Sequence, residues 1–303
     1  MRRILLMISL LVCVLLAALP AQAIDLTPES LLGFADHLFG QGDYYRAITE
    51  YERLQFLFPA SPLARTARFQ VALCYLQGEK YPQAIERFRA FVKDLGGDPL
   101  AERAQFLLAE ACMRKGDYPL AINALESYLQ LFPESPRKDA ARLKLGICYL
   151  RRGAWERARD EFRGLPPDSP LAVQASGLAE DAEQYPSLPH KSPVLAGTLS
   201  IVPGGGQLYV GRPGDATAAL LLNGVFLWGA AQSYHRGNRV AAGILAFFEA
   251  GWYAGNIYSA VNAAHKYNRQ AEQRYFKRIE SQYDITLSRT EAGDLVAALQ
   301  MKF

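Results

Sequence analysis

Residues 31–184 repeat with a period of 37, and this period constrains the fold more than any other feature of the chain. Alanine recurs at one phase, an aromatic residue stands three positions before it, and a large residue, aromatic or leucine, stands four positions after it. These positions are Ala47, Ala84, Ala121 and Ala158, then Tyr44, Tyr81, Tyr118 and Trp155, and finally Tyr51, Phe88, Leu125 and Phe162. A repeat of this length predicts a solenoid of stacked helix pairs.

The residue types fit such pairs. Two helices approach closely only where both surfaces are small, and a second small phase falls one helix earlier, at Ala35, Ala72, Ala109 and Gly146. Gly42-Asp43 and Gly116-Asp117 predict turns between paired helices. Pro62, Pro99 and Pro136 are predicted at the starts of new helices, where a missing amide hydrogen is tolerated. We therefore predict four repeats over residues 28–185, with residues 171–184 as a closing helix.

The segments GDYYRAITEYERLQFLFP and GDYPLAINALESYLQLFP resemble tetratricopeptide repeats. Their 37-residue spacing is similar to the longer repeats of bacterial envelope proteins, such as the outer-membrane assembly lipoprotein and the Tol-Pal coordinator. The resemblance implies an α-solenoid that binds other proteins. It implies no particular chemistry, because such repeats bind many unrelated partners.

A partner surface is predicted along the first helix of each pair, which lines the concave face in such solenoids. The candidate residues are Phe39, Phe69, Leu73, Phe106, Met113, Arg114, Ile147 and Arg151. Aromatic, methionine and arginine side chains are favoured in protein interfaces. We predict a groove for a peptide or protein, with Arg114 and Arg151 contacting carboxylates. The alternative is that much of this strip is core between repeats.

The N-terminus has the layout of a secretory signal peptide. Arg2-Arg3 precede an apolar run over residues 4–20, and the small residues Ala21 and Ala23 follow. We predict a signal peptide at residues 1–23, with an uncleaved anchor as the alternative. The three cysteines beyond it (Cys74, Cys112 and Cys148) are predicted to be buried and unpaired.

Composition changes sharply after a proline-rich linker at residues 186–192. Residues 217–234 carry no charge, and residues 240–264 carry only Glu249. Each run is long enough to cross a hydrocarbon core about 30 Å thick. Residues 193–265 are therefore predicted to form a membrane domain that contacts the lipid bilayer. A very apolar soluble helical domain is the alternative.

The stretch SIVPGGGQLYVGRPGDA precedes these runs. It resembles the PGxGQxYxG signature of small bacterial membrane domains, including the two-transmembrane-helix domain proteins. It is also similar to an uncharacterised family that pairs the signature with a short C-terminal β segment. The signature residues are Pro203, Gly204, Gly206, Gln207 and Tyr209, and the resemblance implies architecture and location only. Residues 193–210 either span as a broken helix or dip in and return.

Glu249 lies inside an apolar run, where a charge is costly and normally has a partner. The candidate partners are Arg212, Asn223 and Gln207. Two interpretations stay open, a buried polar clamp between helices and an ion or proton path. Gly251 and Gly255 form a GxxxG spacing, which lets helices pack closely within the domain or in self-association.

Basic residues follow the last apolar run, at Lys266, Arg269, Arg274, Lys277 and Arg278. The positive-inside tendency favours a cytoplasmic tail, which requires three membrane crossings. Two crossings would leave the tail periplasmic. Residues 266–303 are predicted to form a basic helix and then a β-hairpin, with strands at residues 283–289 and 295–303.

Catalysis and cofactor binding find no support in the sequence. The four histidines have no metal-ligand spacing, and GxSxG, HExxH and GxxxxGK motifs are absent. The net charge is +3 and falls to +1 without Arg2 and Arg3, so nucleic acid is not an expected partner. We predict no enzyme activity, no cofactor and no metal.

The sequence thus predicts an all-α chain in which a tetratricopeptide-like solenoid precedes a small helical transmembrane domain and a short C-terminal β-hairpin. The predicted function is a scaffold that is anchored in the bacterial inner membrane. Its repeats would lie in the periplasm and bind other envelope proteins during envelope biogenesis or maintenance. The alternative is a transport or membrane-insertion accessory whose working part is the membrane domain.

Overall fold

The computed structural model describes residues 26–283, which contain thirteen α-helices and no β-strand. An all-α fold is thus confirmed for this part of the chain. The predicted signal peptide and nearly all of the predicted C-terminal hairpin lie outside the described residues. Contacts divide the chain into two compact units, residues 1–135 and residues 136–303.

The first unit contains three helix pairs. Their helices are α1 (Pro28–Gly40), α2 (Tyr44–Leu57), α3 (Pro62–Gln77), α4 (Tyr81–Asp94), α5 (Pro99–Lys115) and α6 (Tyr118–Leu131). Each helix packs against the next one in the chain. The alanines of the repeat and the large residues four positions later are fully buried here: Ala47, Ala84, Ala121, Tyr51, Phe88 and Leu125. The predicted repeat phase is therefore the core phase of this unit.

Side-chain caps and prolines begin these helices as the sequence predicts. Ser61 and Asp98 accept hydrogen bonds from the backbone amides of the second helical residue, and Pro62 and Pro99 take the first helical position. Pro136 departs from the prediction, because the next helix begins only at Lys138. Ser135, at the equivalent capping position, donates its hydroxyl to the Glu102 carboxylate instead (2.6 Å).

One position in the turn of each repeat has left-handed backbone geometry. It is Gly42 (φ 79°), Glu79 (φ 59°), Gly116 (φ 81°) and Gly153 (φ 74°). Glycine adopts this conformation at no steric cost, whereas a side chain raises its energy. The second repeat therefore holds a strained residue where the other three hold glycine.

The second unit continues with the fourth helix pair and then a different architecture. Its helices are α7 (Lys138–Arg151), α8 (Trp155–Arg163), α9 (Ala172–Gln184), α10 (Pro193–Leu199), α11 (Gly205–Tyr209), α12 (Pro213–His235) and α13 (Arg239–Tyr283). Helix α9 packs on α8. Gly146 on α7 has to be small, because a Cβ there would lie 2.4 Å from the Phe162 ring.

Helices α12 and α13 form a long antiparallel hairpin, and α10 and α11 pack on it. Helix α13 is continuous over 45 residues, so no break separates its apolar and basic parts. The proline-rich linker is held on this helix. The Lys191 amide donates to Asn268 Oδ1 (2.8 Å), and Asn268 Nδ2 donates to the Lys191 carbonyl (2.9 Å).

The predicted membrane-crossing helices are not found. Within residues 26–283, none of the helices is both long and apolar enough to cross a membrane. The two apolar runs lie in α12 and α13, where Asn223, Glu249 and Asn256 interrupt them.

The strained turn residue yields a stability prediction. Glu79→Gly is expected to raise the free energy of unfolding by about 0.5–1 kcal/mol, because relief of left-handed strain exceeds the added entropy of the unfolded chain. Urea unfolding followed by circular dichroism measures the change. Glu86→Gly, on the exposed face of α4, is the control and should lower stability by about 1 kcal/mol. Equal losses in both variants would contradict the prediction.

Candidate functional site

Three of the predicted partner residues lie in the core of the first unit. Phe69, Leu73 and Phe106 are each no more than 3% exposed. The Phe69 ring packs edge-on against Phe88 and Phe91, with 5.8 Å between ring centroids in each case. The expectation that these side chains face outward is wrong, and the alternative of core between repeats holds for all three.

Phe39, Met113 and Arg114 remain partly accessible on the first helices of their pairs. Arg114 donates to the Glu110 carboxylate one turn earlier (2.8 Å), so its guanidinium already contacts a carboxylate of the same helix. A partner that reaches this surface would meet Met113 and the outer edge of Arg114.

Several exposed aromatic side chains of this unit were not predicted as candidates. Phe34, Tyr45 and Phe56 are 47%, 83% and 84% exposed. They fall outside the repeated phases, whose positions are buried or partly buried in every copy. Single exposed apolar residues are common on soluble surfaces, so these three mark no site by themselves.

In the second unit, Ile147 is half-buried and Arg151 is engaged by the chain itself. Arg151 forms an ion pair with Glu280 of α13, and its guanidinium lies 4.1 Å from the centroid of the Phe276 ring. Arg151 therefore pairs with a carboxylate of its own unit, and its contact with a carboxylate of a partner stays a prediction.

The C-terminal end of α13 is hydrogen-bonded to α9 around Asp181, whose side chain is buried. Its carboxylate accepts hydrogen bonds from the Tyr283 hydroxyl (2.8 Å) and from Arg278 Nη2 (2.9 Å). Its backbone carbonyl accepts one from the Tyr275 hydroxyl (2.8 Å), and Gln174 Nε2 donates to the Tyr283 carbonyl (3.2 Å). Helix α9 thus has a covered face, which its prediction as a closing helix did not include.

Burial, with the negative charge of Asp181 adding to it, raises the pKa of Tyr275 and of Tyr283. Both phenols therefore stay protonated and serve as donors throughout the physiological pH range. No sequence motif marks this junction, because its residues come from two helices about 100 positions apart.

The proline-glycine stretch turns back on itself. Residues 200–204 form a turn between α10 and α11. Helix α11 returns towards the start of α10, where the Tyr209 hydroxyl accepts a hydrogen bond from the Ser192 amide (3.0 Å). Residues 193–210 therefore form two short helices joined by a turn and not one continuous helix. The choice between two and three membrane crossings stays a prediction.

Two signature glycines are required by close packing in this turn. A Cβ on Gly204 would lie 2.4 Å from the Ala216 carbonyl oxygen, and the residue has a φ of 89°. A Cβ on Gly206 would lie 2.1 Å from Ser200 Oγ and 2.2 Å from the Ala196 carbonyl oxygen. A larger residue at Gly206 would force α11 away from α10, and one at Gly204 would force it away from α12.

Gln207 joins α11 to α13. Its Nε2 donates to the backbone carbonyl of Asn256 (3.0 Å) and to Asn256 Oδ1 (2.5 Å). Glu249 does not pair with its predicted partners. Arg212 forms an ion pair with Asp215, and neither carboxylate oxygen of Glu249 has a hydrogen-bond partner among the described residues.

Gly251 and Gly255 face open space, since nothing lies within 4 Å of a Cβ added to either. They line a groove of about 330 Å³ together with Ala219, Leu222, Trp252 and Asn256. The GxxxG spacing therefore makes no close helix crossing within the described part of the chain. Residues 26–283 also contain no group of three His, Cys, Asp or Glu side chains that could hold a metal ion.

Comparisons with known proteins agree with the repeat geometry. Two family models, both described as Tetratricopeptide repeat, match residues 32–93 and 72–136 in one case and residues 113–181 in the other. Residues 32–181 are tetratricopeptide repeats. The specific likeness to repeats of envelope proteins is not shown by these models. No curated protein matches the chain.

Several solved structures resemble the chain at low identity. One from Parabacteroides merdae is 13% identical, with 78% of this chain and 98% of that protein covered and a TM-score of 0.45. MamA from Desulfovibrio magneticus is 23% identical, with 51% of this chain and 76% of that protein covered and a TM-score of 0.39. Scores this low carry no functional argument, so the repeat assignment rests on the family models.

The signature turn yields a matched glycine prediction. Gly206→Ala is expected to lower the free energy of unfolding of the second unit by about 1–3 kcal/mol, because Ser200 and the Ala196 carbonyl must move. Gly214→Ala, where a Cβ meets nothing within 4 Å, should change it by less than about 0.5 kcal/mol. Thermal unfolding of the purified full chain compares the two. An equal shift in both variants would show that the turn is not closely packed.

The α9–α13 junction yields a second prediction. Asp181→Asn should weaken the hydrogen bonds from Tyr283 and Arg278 and cost about 1.5–3 kcal/mol locally, as expected for hydrogen bonds to a charged group. Hydrogen exchange should then accelerate at residues 271–283 and not at residues 44–57. Glu180→Gln, at the exposed neighbouring position, is the control. Unchanged exchange at residues 271–283 in Asp181→Asn would contradict a stabilising junction.

Proposed function

We propose that this chain is a membrane-attached scaffold whose tetratricopeptide repeats bind another protein. The repeats carry the proposal of protein binding, because this fold presents helical surfaces to partners and offers no chemistry of its own. We propose no enzymatic activity and no cofactor.

Membrane attachment is supported by the distribution of side chains over residues 193–264. Large apolar side chains are exposed there, including Val194, Ile201, Val202, Leu208, Leu221, Val225, Trp228, Val240, Phe247, Phe248, Trp252 and Tyr258. Apart from Val210, the buried side chains are small or polar, among them Ala196, Ala216, Ala260, Ser200, Gln207, Asn223, Glu249 and Asn256. Water-soluble domains show the reverse distribution, and an exposed apolar surface of this extent is typical of contact with lipid or protein. We commit to lipid as the occupant.

The proposed location is the bacterial inner membrane, with the repeats in the periplasm and other envelope proteins as partners. The basic and apolar start of the chain supports export. The junction around Asp181 supports a position of the α13 end on the same side as the repeats, since it joins α13 to the fourth repeat and its closing helix. A periplasmic tail accords with the two-crossing alternative of the sequence analysis.

A second candidate function makes the helical hairpin the working part, as an accessory of transport or membrane insertion. The observation that favours it is Glu249, a buried acid without a hydrogen-bond partner among the described residues, inside a largely apolar hairpin. Such residues within membrane proteins are commonly functional.

Lipid contact is tested by matched pairs of lysine substitutions. Leu221→Lys with Phe247→Lys places two charges on the exposed apolar face of the hairpin. Tyr45→Lys with Phe56→Lys places two on positions of the repeats that are at least as exposed. Each charge placed in hydrocarbon costs about 2–3 kcal/mol, so the first pair should release the full chain from lipid vesicles in a flotation assay. Equal flotation of both double variants would refute lipid contact at this face.

Partner binding is tested by photo-crosslinking in cells from single positions of the full chain. A crosslinker at Met113, on the first helix of its repeat, should give a discrete adduct with an envelope protein. One at Glu86, on the exposed face of a second helix, serves as the control. Adducts from Glu86 alone would move the partner surface to the other face of the repeats.

A further inference from the structure

Hydrogen-bond acceptors without donors are concentrated in the interior of the helical hairpin. Glu249 is 6% exposed, Asn223 is fully buried and Gln207 is 2% exposed. Both carboxylate oxygens of Glu249, Asn223 Oδ1 and Gln207 Oε1 have no hydrogen-bond partner among the described residues. Buried polar atoms are nearly always paired, so four such oxygens on α11, α12 and α13 require an explanation.

The neighbouring groups determine how both amides are oriented. Asn223 Nδ2 donates to the Ala219 carbonyl oxygen (2.6 Å), and Gln207 Nε2 donates to two oxygens of Asn256. Rotating either amide would bring its oxygen against another oxygen, which is repulsive. Each amide therefore presents its oxygen, and not its nitrogen, to the remaining space.

The helix register places Asn223 and Glu249 at similar levels along the hairpin. Ala219 and Leu222 of α12 share a groove with Gly251 and Asn256 of α13, and a Cβ on Gly229 would lie 3.5 Å from the Leu245 side chain. An antiparallel register between these two contacts sets Asn223 within about one helical turn of Glu249. Asn256 lies about two turns after Glu249 on the same face of α13, and Gln207 of α11 donates a hydrogen bond to it.

No positive charge is available to compensate Glu249 within this part of the hairpin. On α12 the titratable groups are Asp215 and, near its end, Tyr234 and His235, while α13 begins with Arg239 and next carries a basic group at His265. Tyr253, one turn beyond Glu249, donates its hydroxyl to the Ile201 carbonyl (2.7 Å). Helices α10 and α11 carry no charged residue, and the Tyr209 hydroxyl accepts from Ser192. A carboxylate buried in this way is unfavourable unless a cation neutralises it.

We propose that Glu249 and the Asn223 amide oxygen form a binding site for a small monovalent cation, either a proton or a sodium ion. Carboxylate and amide oxygens suit both ligands, because a proton converts the carboxylate into a neutral donor and hard metal ions bind oxygen. Gln207 and Asn256 continue the polar interior towards the signature turn. The proposal deepens the second candidate function and rests on neither partner binding nor lipid contact, since it is tested on the purified chain.

The pH dependence of stability has a defined sign. Because the folded hairpin disfavours the ionised carboxylate, the folded chain binds a proton more tightly than the unfolded chain. Stability contributed by Glu249 is therefore present at low pH and lost as the pH rises. Sodium ions at high pH would restore it only if the site also binds the metal.

The experiment measures the Tm of the full chain in mild detergent at pH 5 and pH 8, in choline chloride or sodium chloride of equal ionic strength. In choline chloride, the change from pH 5 to pH 8 should lower the Tm of wild type by about 3 °C or more beyond any change in the Tm of Glu249→Gln. Glu86→Gln, an exposed carboxylate on α4, should behave as wild type. If sodium chloride restores the Tm of wild type at pH 8 and Asn223→Leu abolishes this recovery, the ligand is a metal ion. If the Tm depends on pH but sodium does not restore it, the ligand is a proton.

The proposal is overturned if wild type and Glu249→Gln share one pH profile and neither responds to sodium. Should Glu249→Gln fail to fold, carbon-13 spectra of wild type labelled at the glutamate carboxyls replace it. One carboxyl that titrates well above the others, or that shifts with sodium, supports the site. Carboxyls that all titrate in the ordinary range without a sodium response refute it.

Discussion

Close packing of helices at small side chains is the constraint on which the structure depends. In the first unit it acts through Ala47, Ala84 and Ala121, which are fully buried at successive repeats. In the second it acts through Ala158, through Gly146 against the Phe162 ring, and through Gly206 against α10. Side chains of this size let the helix backbones approach, and the large residues then fill the space around the crossing. Repeats and signature turn thus apply one packing rule in two architectures.

The second unit reverses the usual distribution of polarity after its closing helix. From α10 through the first half of α13, large apolar groups lie outside and small or polar groups lie inside. This reversal has two consequences. The exposed apolar exterior supports the proposed contact with lipid, and the interior holds polar groups such as Glu249 and Gln207 with oxygens that have no hydrogen-bond partner among the described residues. Membrane attachment and cation binding are proposed from these two sides of the same observation.

The hydrogen bonds that join α13 to α9 change the expected role of the closing helix. A terminal helix of a repeat array normally has a solvated outer face. Here Asp181 gathers the Tyr275, Arg278 and Tyr283 side chains, and Arg151 is occupied by Glu280 and Phe276. The last repeat therefore presents less open surface than its sequence suggests. The first unit therefore offers a partner the more accessible repeat surface, because Met113 remains partly exposed there.

The sequence by itself determined the helix pairs, their turns and most of their starts. A 37-residue period of alanine and large core residues reports burial directly, and Pro62 and Pro99 mark helix starts through local backbone geometry. It also located the signature turn, because Gly204 and Gly206 are the residues that a tight reversal requires. Three residues of the predicted groove (Phe69, Leu73 and Phe106) are instead buried in the core. A period shows that a position recurs, but not whether it faces the core or a partner.

Only the tertiary structure decided how distant segments meet. Asp181 and Tyr283 are 102 positions apart, and Glu249 obtains no partner from any of the three residues that the sequence offered. Local patterns reflect the rules of single helices, in which neighbours three or four positions apart share a face. Contacts between helices depend instead on register and rotation, which follow from the packing of whole surfaces and leave no short-range signal in the chain.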